Sequence, residues 1–401
     1  MKKLSVRYWK WLRFRARKSL RRKKLSIKAE SGSRARIIRG AHHVTAWLGD
    51  VEEEVVSRRA PAVPPAELCV HSNPAETLSL LGRLRNSLQL KNALNYPERY
   101  LWLRNAKTPR GLRSIPSYID FSVIKRMSPA AALVVTAEYH RAAEIIGSAP
   151  PAIDLHRWGN GAFIPLFRLG FFEAIGHLEY GGEALNQYDE IKYLKAVSGK
   201  NGADLPRISL SLMELAGFLE NGEPDRTTRV ELNNAIGEAI VNVARWAYPD
   251  DHQFDFPHLS NFWVTGAADR RNNSFTVVIY DQGITIPVSY PRKALKQAAM
   301  DYLKSLLSVD TKFAFQDDSA YIDCAMKFGN SQSDQVHRGQ GLPQMRELID
   351  VVQGGALTIC SRGGLWHYEY GKPIVRSSYP DSVGGTLIEW KLFLPERQEH
   401  A

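Results

Sequence analysis

Cysteine is scarce in this chain. Three occur in 401 residues, at positions 69, 324 and 360, with no CxxC pair among them. That argues against a disulfide framework and against a thiolate zinc site, and it fits a reducing, cytoplasmic setting. Long apolar runs are also missing: no uninterrupted stretch approaches the roughly 18 residues that a membrane-crossing helix needs. Acidic residues are almost absent from the first forty positions, where Glu30 stands alone against sixteen Lys and Arg. Residues 1–40 therefore hold a charge of +15, and the rest of the chain is at −4 for the net of +11. The basic character belongs to this arm and not to the body. An apolar content of 44% with 24% charged residues is globular, and the length suits two or three domains. No internal repeat is visible.

What is present begins with that arm. The stretch VRYWKWLRFRARKSLRRKKLSIK interleaves Trp9, Trp11 and Phe14 with dense Arg and Lys. Such a segment suits a nucleic-acid backbone, where cations release counterions and rings stack on bases. It equally suits an anionic membrane surface, and its acid-poor, Arg-rich composition is also that of a transit peptide. A solvated, partly helical or disordered extension is the plain alternative. Residues 1–60 are read as this arm, ending in the Pro/Ala-rich break RRAPAVPPAEL at 58–68.

Residues 61–185 read as a small α/β domain. ELCVHS (67–72) and the end of RSIPSYIDFS (113–122) are expected as strands, and 74–90 as a helix. SPAAALVVTAEYHRAAEIIG (128–147) is expected as a helix with Ser128 as its cap, Pro129 in its first turn and Gly147 as its stop. Residues 186–224 are read as a connector. In 225–396, NFWVTGAAD (261–269) and SFTVVIYDQG (274–283) are strands rich in Val, Ile and aromatics. GLPQMRELIDVVQGG (341–355) is a helix, and three further strands follow it. Helices grouped apart from adjacent strand pairs predict an α+β sandwich with helices on one face of a sheet.

Four short patterns in this second half carry chemistry. In GEAIVNVARWAYPD (237–250), Glu238 and Asn242 lie one helical turn apart and project together. An amide oxygen is a hard, neutral ligand suited to Mg²⁺, and a neighbouring carboxylate can orient or deprotonate a nucleophile. In VVIYDQGITIP (277–287), Asp281 ends a strand and Gly283 opens the turn after it. A buried carboxylate there can accept the exocyclic amino hydrogen of adenine. In HRGQGLPQM (337–345), Arg338, Gly339, Gly341 and Leu342 lead into a helix whose free N–H groups suit phosphate. In VGGTLIEWKL (383–392), Thr386 opens a strand after two glycines. Taken singly, each is an ordinary helix face, turn or hairpin.

Their order resembles the nucleotide-binding domain shared by gyrase, histidine kinases, MutL-type repair proteins and anti-sigma kinases, the GHKL superfamily. The resemblance covers about residues 225–395 and implies a Bergerat-type α/β sandwich that binds ATP with Mg²⁺. It implies that Glu238 is the catalytic carboxylate, Asn242 the Mg²⁺ ligand and Asp281 the adenine reader, supported by Thr386. Gly283 would line the base pocket. Arg338, Gly339, Gly341 and Leu342 would enclose the phosphates, and 286–336 would be a lid. Two positions depart from the pattern: Trp246-Ala247-Tyr248 stands where anti-sigma kinases often have His-Ala-Tyr, and Thr285 replaces the second glycine of D-x-G-x-G. SYIDFSVIKRMSPAAALVV (117–135) is similar to the strand-to-helix segment of STAS domains. Pro129 aligns with the serine that is phosphorylated in some of them, so the resemblance implies a docking module.

The expected function is a cytoplasmic ATP-binding regulatory protein, an ATPase or kinase that switches a protein partner through lid movement. The alternatives are a nucleotide-gated nucleic-acid-binding module without catalysis and an anti-sigma-like serine kinase. A homodimer is compatible with either. His252, His258 and Asp251 form a weaker candidate for a metal site, and His140 for a phosphoacceptor.

Overall fold

A computed structural model describes residues 42–48, 51–57, 59–88, 104–105, 112–176, 190–219, 224–292, 297–307, 315–329 and 341–394. The basic stretch 1–40, and with it the readings of nucleic-acid or membrane contact, lies outside the described residues.

Fourteen strands are described. β1 (His42–Leu48) and β2 (Val51–Ser57) form an antiparallel hairpin. β3 (Glu67–Leu68) pairs in parallel with β6 (Arg126–Met127). β4 (Arg104–Asn105), β5 (Arg113–Ile115) and β7 (Ala152–Ile153) join the hairpin in a sheet of order β4-β5-β2-β1-β7. The hairpin corrects the reading of 1–60 as arm throughout: Val44, Ala46 and Val55 turn inward with Ile115, Tyr118 and Ile153 to form a small core. In 113–122 the strand lies at the front, and Ile119 makes only an isolated bridge to Ala62. The segment at 67–72 is a strand only at Glu67–Leu68.

Helices Pro74–Ser87, Pro129–Ile146 and Asn160–Arg168 complete the first half. The Pro129–Ile146 helix begins as its sequence predicts. The Ser128 hydroxyl accepts the Ala131 amide at 3.2 Å, and Gly147 closes the helix at φ 73°.

The larger sheet contains β8 (Ile191–Gly199), β9 (Phe262–Asp269), β10 (Ser274–Asp281), β11 (Gly355–Ser361), β12 (Gly364–Glu369), β13 (Val375–Ser378) and β14 (Thr386–Phe393). Its order is β13-β12-β11-β14-β10-β9-β8, and every pairing is antiparallel. The stretch read as a connector thus supplies edge strand β8, and the Leu205–Ala216 helix packs under the sheet beside it.

β10 is buried at all eight positions. The reason is that helices cover both faces. Val277, Ile279, Ile388 and Trp390 meet Ile236 and Ile240 of the Arg226–Asn242 helix and Leu348 and Ile349 of the Gly341–Val352 helix. Val278, Tyr280, Leu387 and Trp263 turn the other way, into a core with Leu80, Leu84, Leu133 and Ala137 of the first half. The helices of the second half lie on one face of this sheet, and the first half of the chain covers the other. Helix, sheet and helix stack in that order, and the fold is mixed α/β. Among the described residues no helix is long and apolar enough to cross a membrane.

The segment read as a lid carries helices Gln297–Leu306 and Asp318–Phe328, which share a small core around Tyr290 and Cys324. The second of these is tied down. Asp318, fully buried, pairs with Arg362 and accepts the Gly363 amide at 2.9 Å. Asp323 accepts Trp366 Nε1 at 2.7 Å and pairs with Arg376 at 3.3 Å.

Candidate functional site

The Arg226–Asn242 helix starts from Asp225, whose carboxylate accepts the Thr228 amide at 2.7 Å. It ends at Asn242, where the backbone widens into a π turn, Val243–Ala247. Such turns re-aim side chains, and here the turn carries Trp246 onto the rim of a cleft. The turn then docks on the loop after β10. The Ile284 amide donates to the Ala247 carbonyl at 2.8 Å. A Cβ on Gly283 would lie 2.5 Å from both Ala247 Cβ and its oxygen, so glycine is required for this approach. Gly283 therefore packs against the helix end and is not among the residues that line the cleft, unlike the expectation.

Asp281 ends β10 and faces Thr386, the first residue of β14, across the ladder. It is 7% exposed, and its Oδ1 accepts the Gly283 amide at 2.8 Å. Burial pushes its carboxyl up to about 7 from an ordinary 3.8, against the opposing effect of backbone hydrogen bonds from Gly283 and Thr386. Ser361 adjoins Thr386 on the far side, with the two hydroxyl oxygens 2.8 Å apart. Ser361 Oγ also accepts the Ile286 amide at 2.8 Å, so its own hydrogen is available to Thr386. Tyr248 braces the same loop: its hydroxyl donates to the Asn261 carbonyl at 2.6 Å and accepts the Gln282 amide at 2.9 Å. Burial pushes the Tyr248 phenol well above its ordinary value, so it stays neutral in both roles.

Asn242, Asp281, Leu342 and Thr386 line one open cleft of about 600 Å³, together with Trp246 and Thr285. Val243, Ile279, Ile284 and Ile388 give it apolar walls. Two buried polar atoms of its lining, Asn242 Nδ2 and Thr285 Oγ1, have no hydrogen-bond partner among the described residues. Unpaired buried polar groups are costly and call for water or a ligand.

Glu238 stands half-buried one turn before Asn242, at the start of the Gly341–Val352 helix. A Cβ on Gly341 would lie 2.5 Å from Glu238 Oε2 and 3.5 Å from Asn242 Nδ2. Glycine thus lets the Gly341–Val352 helix begin directly against both side chains. Arg338 and Gly339 lie outside the described residues.

Three features of the site take their form only in the fold. Thr285 holds φ 75° and ψ 153°, backbone that normally requires glycine, at the position where the D-x-G-x-G pattern has one. Ser361 and Trp246 join the site through register and the π turn. Two weaker candidates resolve differently. His140, half-buried, accepts Trp263 Nε1 at 3.1 Å and lies 3.8 Å from Glu144, and His258 stacks on Tyr248 at 4.7 Å. Among the described residues no group of three or more His, Cys, Asp or Glu could hold a metal ion. No family model and no curated protein matches this chain.

Proposed function

We propose that the chain is an ATP- and Mg²⁺-binding regulatory protein, with a Bergerat-type sandwich of the GHKL kind in its second half and a STAS-like docking module in its first. The observation that carries this reading is the convergence of Asn242, Asp281 and Thr386 on one cleft with apolar walls. An ionised Asp281 accepts the amino hydrogen of adenine, and the Thr386 hydroxyl shares a water with it. Val243, Ile279 and Ile388 cover the faces of the purine, and Trp246 adds a ring at the rim.

The donor set fits Mg²⁺. Asn242 supplies an uncharged oxygen, and few protein ligands are needed when phosphates and water complete the shell. Bound there, the ion would neutralise charge on the phosphates. Glu238, beside Asn242, orients the attacking water or acceptor hydroxyl. The N-terminus of the Gly341–Val352 helix directs amide groups at the phosphates. Catalysis on this plan rests on positioning and electrostatics.

Calorimetry with Mg²⁺ and ADP or ATP tests the reading. Binding by the wild type, weakened by Asp281→Asn and by Asn242→Ala, is the expected result; no heat from the wild type removes it. Transfer of label from γ-labelled ATP to protein separates a kinase from an ATPase, for which the label appears only as free phosphate.

A further inference from the structure

The back of the sheet carries a polar network that the cleft itself does not use. Glu138, on the Pro129–Ile146 helix, is completely enclosed. Arg85 of the Pro74–Ser87 helix donates to its Oε1 at 3.0 Å, and Arg141 pairs with its Oε2. The Tyr280 hydroxyl reaches the same Oε1 at 3.3 Å. Burial first, and the adjacent Glu138 second, push the Tyr280 phenol upward, so it remains a neutral donor.

The network also reaches the loop before β14. Arg85 Nη2 donates to the Val383 carbonyl at 2.6 Å, and the Tyr280 hydroxyl lies 3.2 Å from the same oxygen. Gly384 follows at φ 92°, and a Cβ there would fall 1.8 Å from Arg85 Nη2. The guanidinium thus lies flat against a residue that has to be glycine.

Enclosing one carboxylate with two guanidinium groups costs desolvation that apolar packing would not incur, so the arrangement is better explained by where it ends than by net stability. It ends on two backbone segments. Tyr280 immediately precedes Asp281. Val383 and Gly384 lead through Gly385 into Thr386. One carboxylate from the first half therefore holds, from behind, the two strands whose tips carry the base-facing groups.

We infer that Glu138 is a positioning residue for the base end of the cleft, aligning Asp281 and Thr386 through Tyr280 and Arg85. This rests on the adenine-nucleotide reading and gives the first half of the chain a direct part in base discrimination. A partner docked on that half has a short route to the site, through the Pro74–Ser87 and Pro129–Ile146 helices.

The test compares Mg-ATP, Mg-GTP and Mg-tripolyphosphate binding by calorimetry for the full chain and for Glu138→Gln and Tyr280→Phe. The expected result for Glu138→Gln is an ATP affinity lower by about tenfold, the scale of one buried hydrogen bond, with GTP and tripolyphosphate unchanged. The ratio of ATP to GTP affinity narrows. Tyr280→Phe, which keeps the ring in place, moves the ratio the same way by less, and it decides the matter if Glu138→Gln fails to fold. An unchanged ratio in a folded variant, or equal weakening of all three ligands, overturns the inference. A wild type that binds none of them overturns the nucleotide reading itself.

Discussion

The hydroxyls of Ser361 and Thr386 lie 2.8 Å apart, and the row they form across β11 and β14 is completed by Asp281 on β10. Ser361 also takes the Ile286 amide, so one side chain satisfies the first turn of the next helix and orients the Thr386 hydroxyl. Replacing it by alanine strands a backbone N–H and frees Thr386 to rotate. Ser361→Ala is expected to cost about 1–3 kcal/mol of stability, the penalty for an unpaired buried donor. It should also weaken adenosine binding. Urea unfolding and an adenosine titration measure the two effects separately, and a variant as stable and as tight-binding as wild type would remove Ser361 from the site.

Asp281 makes stability and binding depend on pH in opposite senses. Its carboxyl is raised from 3.8 to about 7, so between those values the folded chain keeps a proton that the unfolded chain has released. The protonated side chain contributes stability below its ordinary value, and that contribution is lost as pH rises through about 7. The ligand-free melting temperature is expected to fall from about pH 5 to about pH 8. Glu389, also raised to about 7 by burial, adds a slope of the same sign, so Asp281→Asn should flatten the curve only in part. On the proposed adenine reading, the ionised carboxylate is the acceptor. Adenosine, with no phosphate to titrate, should therefore bind more tightly as pH rises through this window, and Asp281→Asn should abolish the trend.

How much of this was legible depends on the kind of signal. β9 and β10 are largely apolar or β-branched runs bounded by turns, β14 is interrupted only by Glu389 and Lys391, and buried strands look like that in any sequence. Glu238 and Asn242 could be paired because helical spacing is local. Asp281 and Thr386, more than a hundred positions apart, were linked only by the order of motifs, and the register puts them opposite each other. The elements that stayed hidden carry mixed signals. β8 has Lys192 and Lys195 within it and is interrupted by a bulge between Leu194 and Val197. β2 carries Glu52, Glu53 and Glu54 directly after Val51, and β13 is short and largely exposed. Glu138 carries no signal of its own on its helix, because nothing nearby in sequence announces Arg85 or Tyr280 as its partners.

Thr285 offers a test of strain. Its φ of 75° and ψ of 153° fall where a β-branched residue is disfavoured, and its hydroxyl is buried without a partner among the described residues. Strain of this kind is on the order of 1–3 kcal/mol, while glycine costs roughly 0.5–1 kcal/mol through the unfolded chain. Thr285→Gly is therefore expected to stabilise the ligand-free protein by about 1 kcal/mol, seen as a shift of the urea midpoint with an unchanged slope. Thr285→Ala removes the hydroxyl but keeps the disfavoured backbone, and it should recover less. Equal gains from both would locate the cost in the hydroxyl and not in the dihedral angles.

The contact between Gly341 and Glu238 separates turnover from binding. A methyl group on Gly341 would meet Glu238 Oε2 at 2.5 Å, and that oxygen is the free end of a flexible side chain. The cheapest response is for Glu238 to rotate away, leaving the Arg226–Asn242 helix and the Asp281 end of the cleft as they are. Gly341→Ala is then expected to behave like Glu238→Ala: ATP turnover falls by roughly 10²–10⁴, the range for loss of a general acid–base group, while ADP affinity changes little. The double variant should be no slower than either single one, since both remove the same carboxylate from the same place. Multiplicative losses in the double variant would mean that Gly341 acts on the phosphates independently of Glu238, and wild-type turnover in Glu238→Ala would remove the carboxylate from the chemistry altogether.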